Sequence, residues 1–355
     1  MVASTAPTGA PGMVVPEGAA SLGATDSELA YEAGVEIKAR SQWSYARTRF
    51  FRHRLAVASL IVLLLFGVIA LFAKHIAPYG FDEIDLNNPD PSTGLAKSPT
   101  LSGFHIFGTD QLGRDYLSRI IYGIRTSLWV ALFVAILATV IGTAVGAVAG
   151  FYGGRTDNLL MRFTDLILTL PGVAVLLTAA VYLGSDDSEF SDINLPFTSV
   201  SIPLPFTIPI YQPMKIGIIL ALLFWVGLAR VVRGLFLSLR EKEFVEAAKA
   251  AGASDIRIIM RHILPNCVGP IVVFTTLIVA GAILTEAFLS FVGYGIQPPN
   301  AALGKLIVDG QSEGFSLWWL VTFPGIAILI IALCINFVGD GLRDALDPTQ
   351  RRNRA

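Results

Sequence analysis

The chain has 355 residues, of which 54% are hydrophobic and only 15% are charged, and its mean hydropathy is +0.64. Soluble domains carry about a quarter of their residues as charges, so this composition excludes an ordinary soluble enzyme. The net charge of −1 provides no field that would attract nucleic acid. The two cysteines lie in separate apolar stretches, which excludes a disulfide framework and a cysteine-based metal site. The composition therefore predicts an integral membrane protein.

Residues 1–40 are rich in Ala, Gly, Pro, Ser and Thr and contain no Lys or Arg before Lys38. A signal peptide needs a basic start and an unbroken apolar core, so we predict a disordered, uncleaved cytoplasmic tail. In residues 41–54, aromatic side chains alternate with arginines. This pattern is typical of a basic amphipathic helix at the inner membrane surface, although a simple basic flank explains it equally well.

Six stretches approach the length of about 20 mostly apolar residues that a membrane-spanning helix needs. They predict an all-α polytopic membrane protein in which the first transmembrane helix (55–77) precedes an external loop (78–125) and a core of five helices (126–339). The apolar stretches are residues 55–73, 126–151, 166–183, 216–229 with an extension past Arg230 and Arg233, 267–291 and 315–339.

Most of the Lys and Arg residues fall in segments that six spans would place on the same side as both termini. These segments are residues 1–54, the loops 152–165 and 230–266, and the tail 340–355. The positive-inside rule therefore predicts that both termini are cytoplasmic.

The sequence carries no phosphate-binding GxxxxGK[ST] loop and no GxSxG elbow, and its four histidines are scattered. We therefore expect no catalytic residue, no metal site and no cofactor on this chain. Within the spans, Asp165 and Glu286 stand out as ionisable groups, fewer than a proton- or sodium-coupled transporter usually keeps. Glu286 should face the bundle interior or a translocation path, or pair with a base of another subunit. For Asp165, a local pair with Arg162 is the simplest interpretation.

Residues 240–266 predict two short helices joined at a glycine. Four residues spaced for one helical face precede Gly252, which is typical of a left-handed helix end. Ser254 can cap a second helix, and Pro265 would end it. The residues of the two predicted apolar faces are Phe244, Ala247, Ala248 and Ala251, then Ile256, Ile259, Met260 and Ile263. Periodicity alone leaves an ordinary amphipathic connector as an equal alternative.

The residues Glu246-Ala247-Ala248, Gly252 and Leu264-Pro265 resemble the EAA loop of permeases in binding-protein-dependent ABC importers. His262 and Asn266 fit the dipeptide, oligopeptide and nickel group of these permeases. Further stretches are similar to that group and point to the second of its two permease subunits: 107–115, 118–125, 150–162, 286–293 and 339–348.

This resemblance implies the type I permease fold in a bacterial inner (plasma) membrane, with a second homologous permease, two cytoplasmic ATPases that bind ATP and Mg, and an external substrate-binding protein. It implies that the loop couples the membrane helices to an ATPase through Glu246, Ala247, Ala248, Gly252, His262, Leu264, Pro265 and Asn266. It suggests peptides as substrate, with nickel or another small solute as the alternative. A stand-alone channel or secondary transporter and a membrane scaffold without transport activity remain as rival interpretations.

Three further features carry predictions. The glycines at positions 142, 146 and 150 form a small-residue stripe on the second span, which favours close helix packing over pore lining. Pro171 and Pro324 should kink or loosen their spans. The outer segments 78–125 and 184–213 either dock the binding protein or form a partial lid, or they only connect spans.

Overall fold

The computed structural model describes residues 42–85, 96–100, 105–183, 190–194, 201–208, 212–297, 300–312 and 314–346. The predicted disordered tail (1–40), residues 347–355 of the predicted cytoplasmic tail and part of the 185–213 insert lie outside the described residues. The described helices are α1 (Gln42–Arg52), α2 (Arg54–Leu71), α3 (Ala73–Ile76), α4 (Tyr116–Tyr152), α5 (Gly154–Thr169), α6 (Gly172–Leu183), α7 (Gln212–Leu239), α8 (Glu243–Ala250), α9 (Asp255–Ile258), α10 (Leu264–Phe291), α11 (Leu303–Gln311) and α12 (Trp319–Leu346).

Among the described residues, five helical segments are long and apolar enough to cross a membrane. They are Arg54–Leu71, Tyr116–Tyr152, Pro213–Leu239, Asp255–Phe291 and Trp319–Leu346. The pair α5 and α6 makes a sixth if it is taken as one broken span, so the prediction of a six-span, largely helical membrane protein agrees with the fold. The predicted extension of the fourth span past Arg230 and Arg233 is confirmed, because α7 continues to Leu239.

The third span departs from its prediction as a single helix over 166–183. α5 and α6 meet at an angle of 80°. Pro171 has no N–H to donate, and a residue before proline is held away from helical geometry. Leu170 accordingly adopts an extended conformation, with φ −68° and ψ 136°. A bend far sharper than an ordinary proline kink results.

The helices α4 and α7 run side by side in the same direction and pack closely through the predicted glycine stripe. A Cβ atom added to Gly142 would lie 2.7 Å from the Trp225 carbonyl oxygen, and one added to Gly150 would lie 2.6 Å from Cβ of Phe236. At Gly146, an added Cβ would lie 2.8 Å from Cβ of Val232 and would also meet the Ala229 carbonyl. The packing role predicted for these glycines is confirmed.

Residues 42–52 of the predicted basic segment 41–54 form the helix α1, and its Phe50 side chain is buried. Phe50 belongs to a small apolar cluster with Ala56 of α2 and with Val338 and Ala345 of α12. This cluster attaches α1 to the beginning of α2 and the end of α12. The predicted position of α1 at a membrane surface stays a prediction.

Part of the insert 185–213 forms an antiparallel pair of strands that the all-α prediction did not include. β1 (Phe190–Asn194) pairs with β2 (Ser201–Ile208), and the register places Asp192 opposite Pro203. Prolines interrupt a strand least at the edge of a sheet, and both strands of a two-stranded sheet are edges.

We expect Gly146→Ala to lower the melting temperature of the purified protein, because the added methyl group must push α4 away from α7. Gly234→Ala on α7 is the matched control, since nothing lies within 4 Å of its added Cβ. That control should leave the melting temperature unchanged or raise it, because alanine favours helices by about 1 kcal/mol over glycine. Equal melting temperatures for the two variants would contradict the packing role of the stripe.

Candidate functional site

The first half of the 240–266 loop has the predicted form. Helix α8 ends at Ala250, and Gly252 follows with φ +75°, the left-handed conformation that glycine adopts without strain. The Gly252 N–H donates to the Lys249 carbonyl (2.9 Å), and the Ala253 N–H donates to the Ala248 carbonyl (3.0 Å). These bonds supply donors to carbonyl groups that have no hydrogen-bond partner within the last turn of the helix. The chain therefore turns sharply at Gly252.

The second half of the loop differs from its prediction. Helix α9 passes into a π-helical turn, Ile259–Ile263, and then directly into α10, so Pro265 does not end the helix. Pro265 lies in the first turn of α10, where a missing N–H is tolerated, and the π turn takes up the change of register. Ser254 occupies the N-cap position of α9, but its side chain makes no capping hydrogen bond. The loop is thus joined to the fifth span without a break.

The two predicted apolar faces are divided between the core and the surface. Of the predicted residues, Ile263 is fully buried in the main apolar core, and Val245 and Ile258, which belonged to neither predicted face, are fully buried there as well. Ile256 and Met260 were predicted to share a face with Ile263, yet they are 72% and 59% exposed. The prediction assumed one regular helix, whereas the π turn Ile259–Ile263 changes the angular position of Ile263 relative to the residues before it, so Ile256 and Ile263 do not share a face.

Exposed apolar residues accumulate on this loop. We call them the elbow set: Phe244, Ala247, Ala251, Ile256 and Met260. Exposed apolar side chains of this kind are typical of interaction surfaces.

The motif residues fall on both sides of the loop. Glu246, Pro265 and Asn266 are exposed, and the Asn266 side chain donates to the His262 carbonyl (2.7 Å). Ala248 and Leu264 are partly buried against the core, and His262 is half-buried. The adjacent alanines of the motif therefore differ, because Ala247 faces outward whereas Ala248 contributes to packing.

Ion pairs and a hydrogen bond from arginine side chains connect the helices that lead into the loop. Arg233 of α7 pairs with Asp157 of α5, with 2.6 Å between Nη2 and Oδ2. The Arg240 guanidinium donates to the Gly150 carbonyl at the end of α4 (3.2 Å). Asp165 pairs with Arg230 of α7, so the predicted pair with Arg162 is wrong. The bend between α5 and α6 and the packing on α7 decide this partner, and sequence spacing reveals neither.

Glu286 faces the interior of the bundle, as predicted, and is 1% exposed. Its carboxylate accepts hydrogen bonds from the hydroxyl groups of Ser127 on α4 (3.0 Å) and Ser290 (2.8 Å). The Leu303 N–H at the start of α11 donates to the Ser127 hydroxyl oxygen (3.3 Å). This network joins three helices. Because the chain itself encloses the carboxylate, the network gives no support to a pair with a base of another subunit.

The outer motif of residues 107–125 folds around Asp110. This carboxylate accepts from the backbone N–H groups of Leu112 (3.0 Å) and Arg114 (2.9 Å), and it pairs with the guanidinium groups of Arg114 (2.7 Å) and Arg119. The Trp319 indole N–H donates to the Thr109 carbonyl (3.2 Å). These contacts give the motif a structural role between α4 and α12. Its predicted role in docking or as a lid stays a prediction.

His105, a histidine that the sequence offered no reason to select, is 5% exposed in this outer segment. Its Nδ1 lies 2.9 Å from an Asp115 oxygen and its Nε2 lies 3.1 Å from an Asp85 oxygen. Asp115 also caps α4 by accepting from the Ser118 N–H (2.7 Å). Nearby, burial first and then the charges of Asp115 and Asp85 raise the pKa of Tyr79. Partners 10 and 20 residues away form no motif, which explains why sequence reasoning missed this site.

Comparison with known proteins identifies the family. The model of binding-protein-dependent transport system inner membrane components matches residues 142–352, and that of the N-terminal transmembrane domain of oligopeptide transport permease C matches residues 41–97. The chain belongs to the family of binding-protein-dependent transport system inner membrane components.

Similar proteins extend over nearly the whole chain. The oligopeptide transport system permease protein OppC of Haemophilus influenzae is 38% identical over 89% of this chain and 92% of its own length. The protein of that name from Mycobacterium bovis is 38% identical over 86% and 94%. A chain of the methionine ABC transporter MetNI, solved in inward-facing conformations, aligns with a TM-score of 0.45 and 16% identity over 65% of this chain and 97% of its own.

We expect Glu286→Leu to lower the melting temperature, because it leaves two buried hydroxyl groups without an acceptor, at about 1–3 kcal/mol each. Glu286→Gln should cost less, since an amide can accept from one serine and donate to the other. Transport should fall more than membrane insertion in the leucine variant. Thr285→Val, one position away and outside the network, is the control. A leucine variant with wild-type stability and transport would contradict the network's importance.

Proposed function

We propose that this chain is one of two permease subunits of an ATP-driven importer of peptides, which an external binding protein delivers and which two cytoplasmic ATPases drive. The observation that carries this proposal is the elbow set on a loop that continues without interruption into a membrane span. Family membership and the oligopeptide permease relatives agree with it. ATP and Mg would bind the ATPases, so this chain contributes no catalytic residue.

The loop has the form of a docking element with a rigid connection. Its elbow set is small or apolar and is flanked by exposed charged side chains such as Glu246 and Arg257, so a groove of another protein can bind the apolar residues and pair with the charges at their edge. The helical segment Asp255–Phe291 is 37 residues long, which corresponds to roughly 55 Å at 1.5 Å per residue. A displacement at the elbow therefore moves the far end of this segment, where Glu286 is bonded to α4.

The ion pairs provide a second connection from the same loop. α7 enters the loop at its Leu239 end, and Arg233 and Arg240 attach that end to α5 and α4. Interfaces of this kind move as rigid bodies, because packed cores are not continuously deformable. Closure of an ATPase against the elbow would then tilt several spans together.

A stand-alone transporter or a scaffold accounts less well for these features. Neither needs an exposed apolar surface on a loop that is coupled to two spans. Peptides are the proposed substrate because oligopeptide permeases match almost the entire chain. If the reconstituted assembly took up nickel complexes and not peptides, the proposed substrate would be wrong, whereas the proposed importer function would stand.

The proposed orientation places the elbow in the cytoplasm. Ser254 and Ser312 are both exposed, so each can be replaced by a single cysteine for labelling with a membrane-impermeant reagent. We expect the cysteine at position 254 to be labelled only from inside and the one at position 312 only from outside. The native cysteines Cys267 and Cys334 are buried and serve as the background. Labelling of the Ser254 position from outside would reverse the orientation and remove the coupling proposal.

The coupling role predicts a specific defect for Gly252→Val. A β-branched residue at φ +75° costs about 1–3 kcal/mol and re-aims α8. Insertion and pairing with the second permease should persist, whereas ATPase association weakens or ATP hydrolysis no longer drives uptake. The defect is detected by measuring transport, ATP hydrolysis and subunit content of the reconstituted assembly side by side.

Gly314→Val is the matched control for backbone strain. Gly314 has φ +66°, has open space around its added Cβ, and lies outside the loop. Ala247→Arg tests the surface without backbone strain and should reproduce the Gly252→Val defect. Normal coupling in both loop variants would make the loop an ordinary connector.

A further inference from the structure

A cavity of about 660 Å³ lies between the N-terminal half of α4 and the first turn of α7, away from the elbow that follows the other end of α7. One face of α4 forms its longest wall, with Tyr122, Arg125, Trp129 and Ile136 spaced three to seven residues apart. Met214 at the start of α7 and Phe81 of the outer segment contribute to the other walls. None of the residues in the hydrogen-bond network around Glu286 lines this cavity.

The cavity combines one positive charge with an apolar wall. Arg125 is its charged lining residue, and none of the described residues that line it carries a carboxylate. A guanidinium in apolar surroundings is stabilised by an anion that forms hydrogen bonds with it. The part of the lining at Arg125 is therefore complementary to a negatively charged group, and the apolar part of the lining is complementary to a hydrocarbon chain.

The cavity opens toward the outside of the bundle and not into its core. Two residues of its longest wall, Trp129 and Ile136, are 57% and 65% exposed on the surface of the bundle, and Val130, which also lines the cavity, is buried at its inner side. From Arg125 to Ile136 the helix rises roughly 16 Å, about half of the 30 Å hydrocarbon thickness of a bilayer. The charge thus lies near the end of the span, and the apolar wall extends toward its middle.

This order of groups matches a lipid. A phospholipid has its phosphate at the membrane surface and its acyl chains below, and Tyr122 and Trp129 are the aromatic types that favour that boundary. A peptide carries a terminal ammonium as well as a carboxylate, and the described lining offers no acidic side chain for the ammonium. We propose that the cavity binds an anionic phospholipid, with the phosphate against Arg125 and one acyl chain along Trp129 and Ile136.

The test uses the assembled transporter in nanodiscs of equal amounts of phosphatidylglycerol and phosphatidylcholine. Native mass spectrometry after release counts the lipids that remain bound. The wild-type assembly should retain phosphatidylglycerol over phosphatidylcholine. Arg125→Gln should reduce retained phosphatidylglycerol about tenfold, the effect of losing one charge-assisted hydrogen bond. Lys74→Gln, an exposed cation at the end of the first span, is the matched control and should change nothing.

A second variant separates the cavity from the charge. Thr126→Phe keeps Arg125 but places a ring in the cavity, and it should also release the lipid. Equal retention of both lipids, an equal loss in Lys74→Gln, or displacement of the lipid by inorganic phosphate alone would overturn the proposal. So would cross-linking of Ile136→Cys to the second permease instead of to lipid. Peptide uptake by the wild-type assembly is measured separately, and its absence would overturn the importer proposal while leaving the lipid result intact.

Discussion

The structure depends on the close approach of α4 and α7. Three glycines on α4 remove the side chains that would otherwise separate these helices, and backbone of α7 occupies the space that results. In a membrane, lipid is as apolar as leucine, so close packing and not exclusion from water holds helices together. This contact fixes the ends of both helices at once. The cavity near Arg125 lies at their beginning, and Arg240 reaches the Gly150 carbonyl at the end of α4.

Buried polar contacts then define how the remaining helices attach to this pair. Glu286 and Ser290 of α10 meet Ser127 of α4, and the same serine accepts from the backbone of α11. Asp157 of α5 meets Arg233 of α7. Polar groups without water must find partners in the protein, so each contact specifies one arrangement of helices. A loop joined rigidly to this framework is suited to transmit movement, and a flexible connector would not be.

Much of the architecture could be predicted from the sequence because it depends on local properties. Apolar runs gave the spans, the glycine stripe gave the packing face of α4, and Gly252 gave the turn with positive φ. Two of the errors, in the 240–266 loop and in the third span, come from the assumption of regular helices. A π turn before Pro265 joined the loop to α10, and the extended Leu170 broke the third span. In both cases the chain keeps its hydrogen bonds in a way that proline alone does not specify.

The sequence by itself determined that the protein is a multi-span membrane protein of the importer permease family, and that its 240–266 loop bends at Gly252. Those conclusions rest on the length of the apolar stretches, on the freedom of glycine to adopt a positive φ, and on a motif whose residues lie close together in the sequence. Only the tertiary structure decided which side of the loop is exposed, that Arg230 pairs with Asp165, and that His105 lies between Asp115 and Asp85. These contacts join residues that are distant in sequence, so their geometry exists only when the helices have packed.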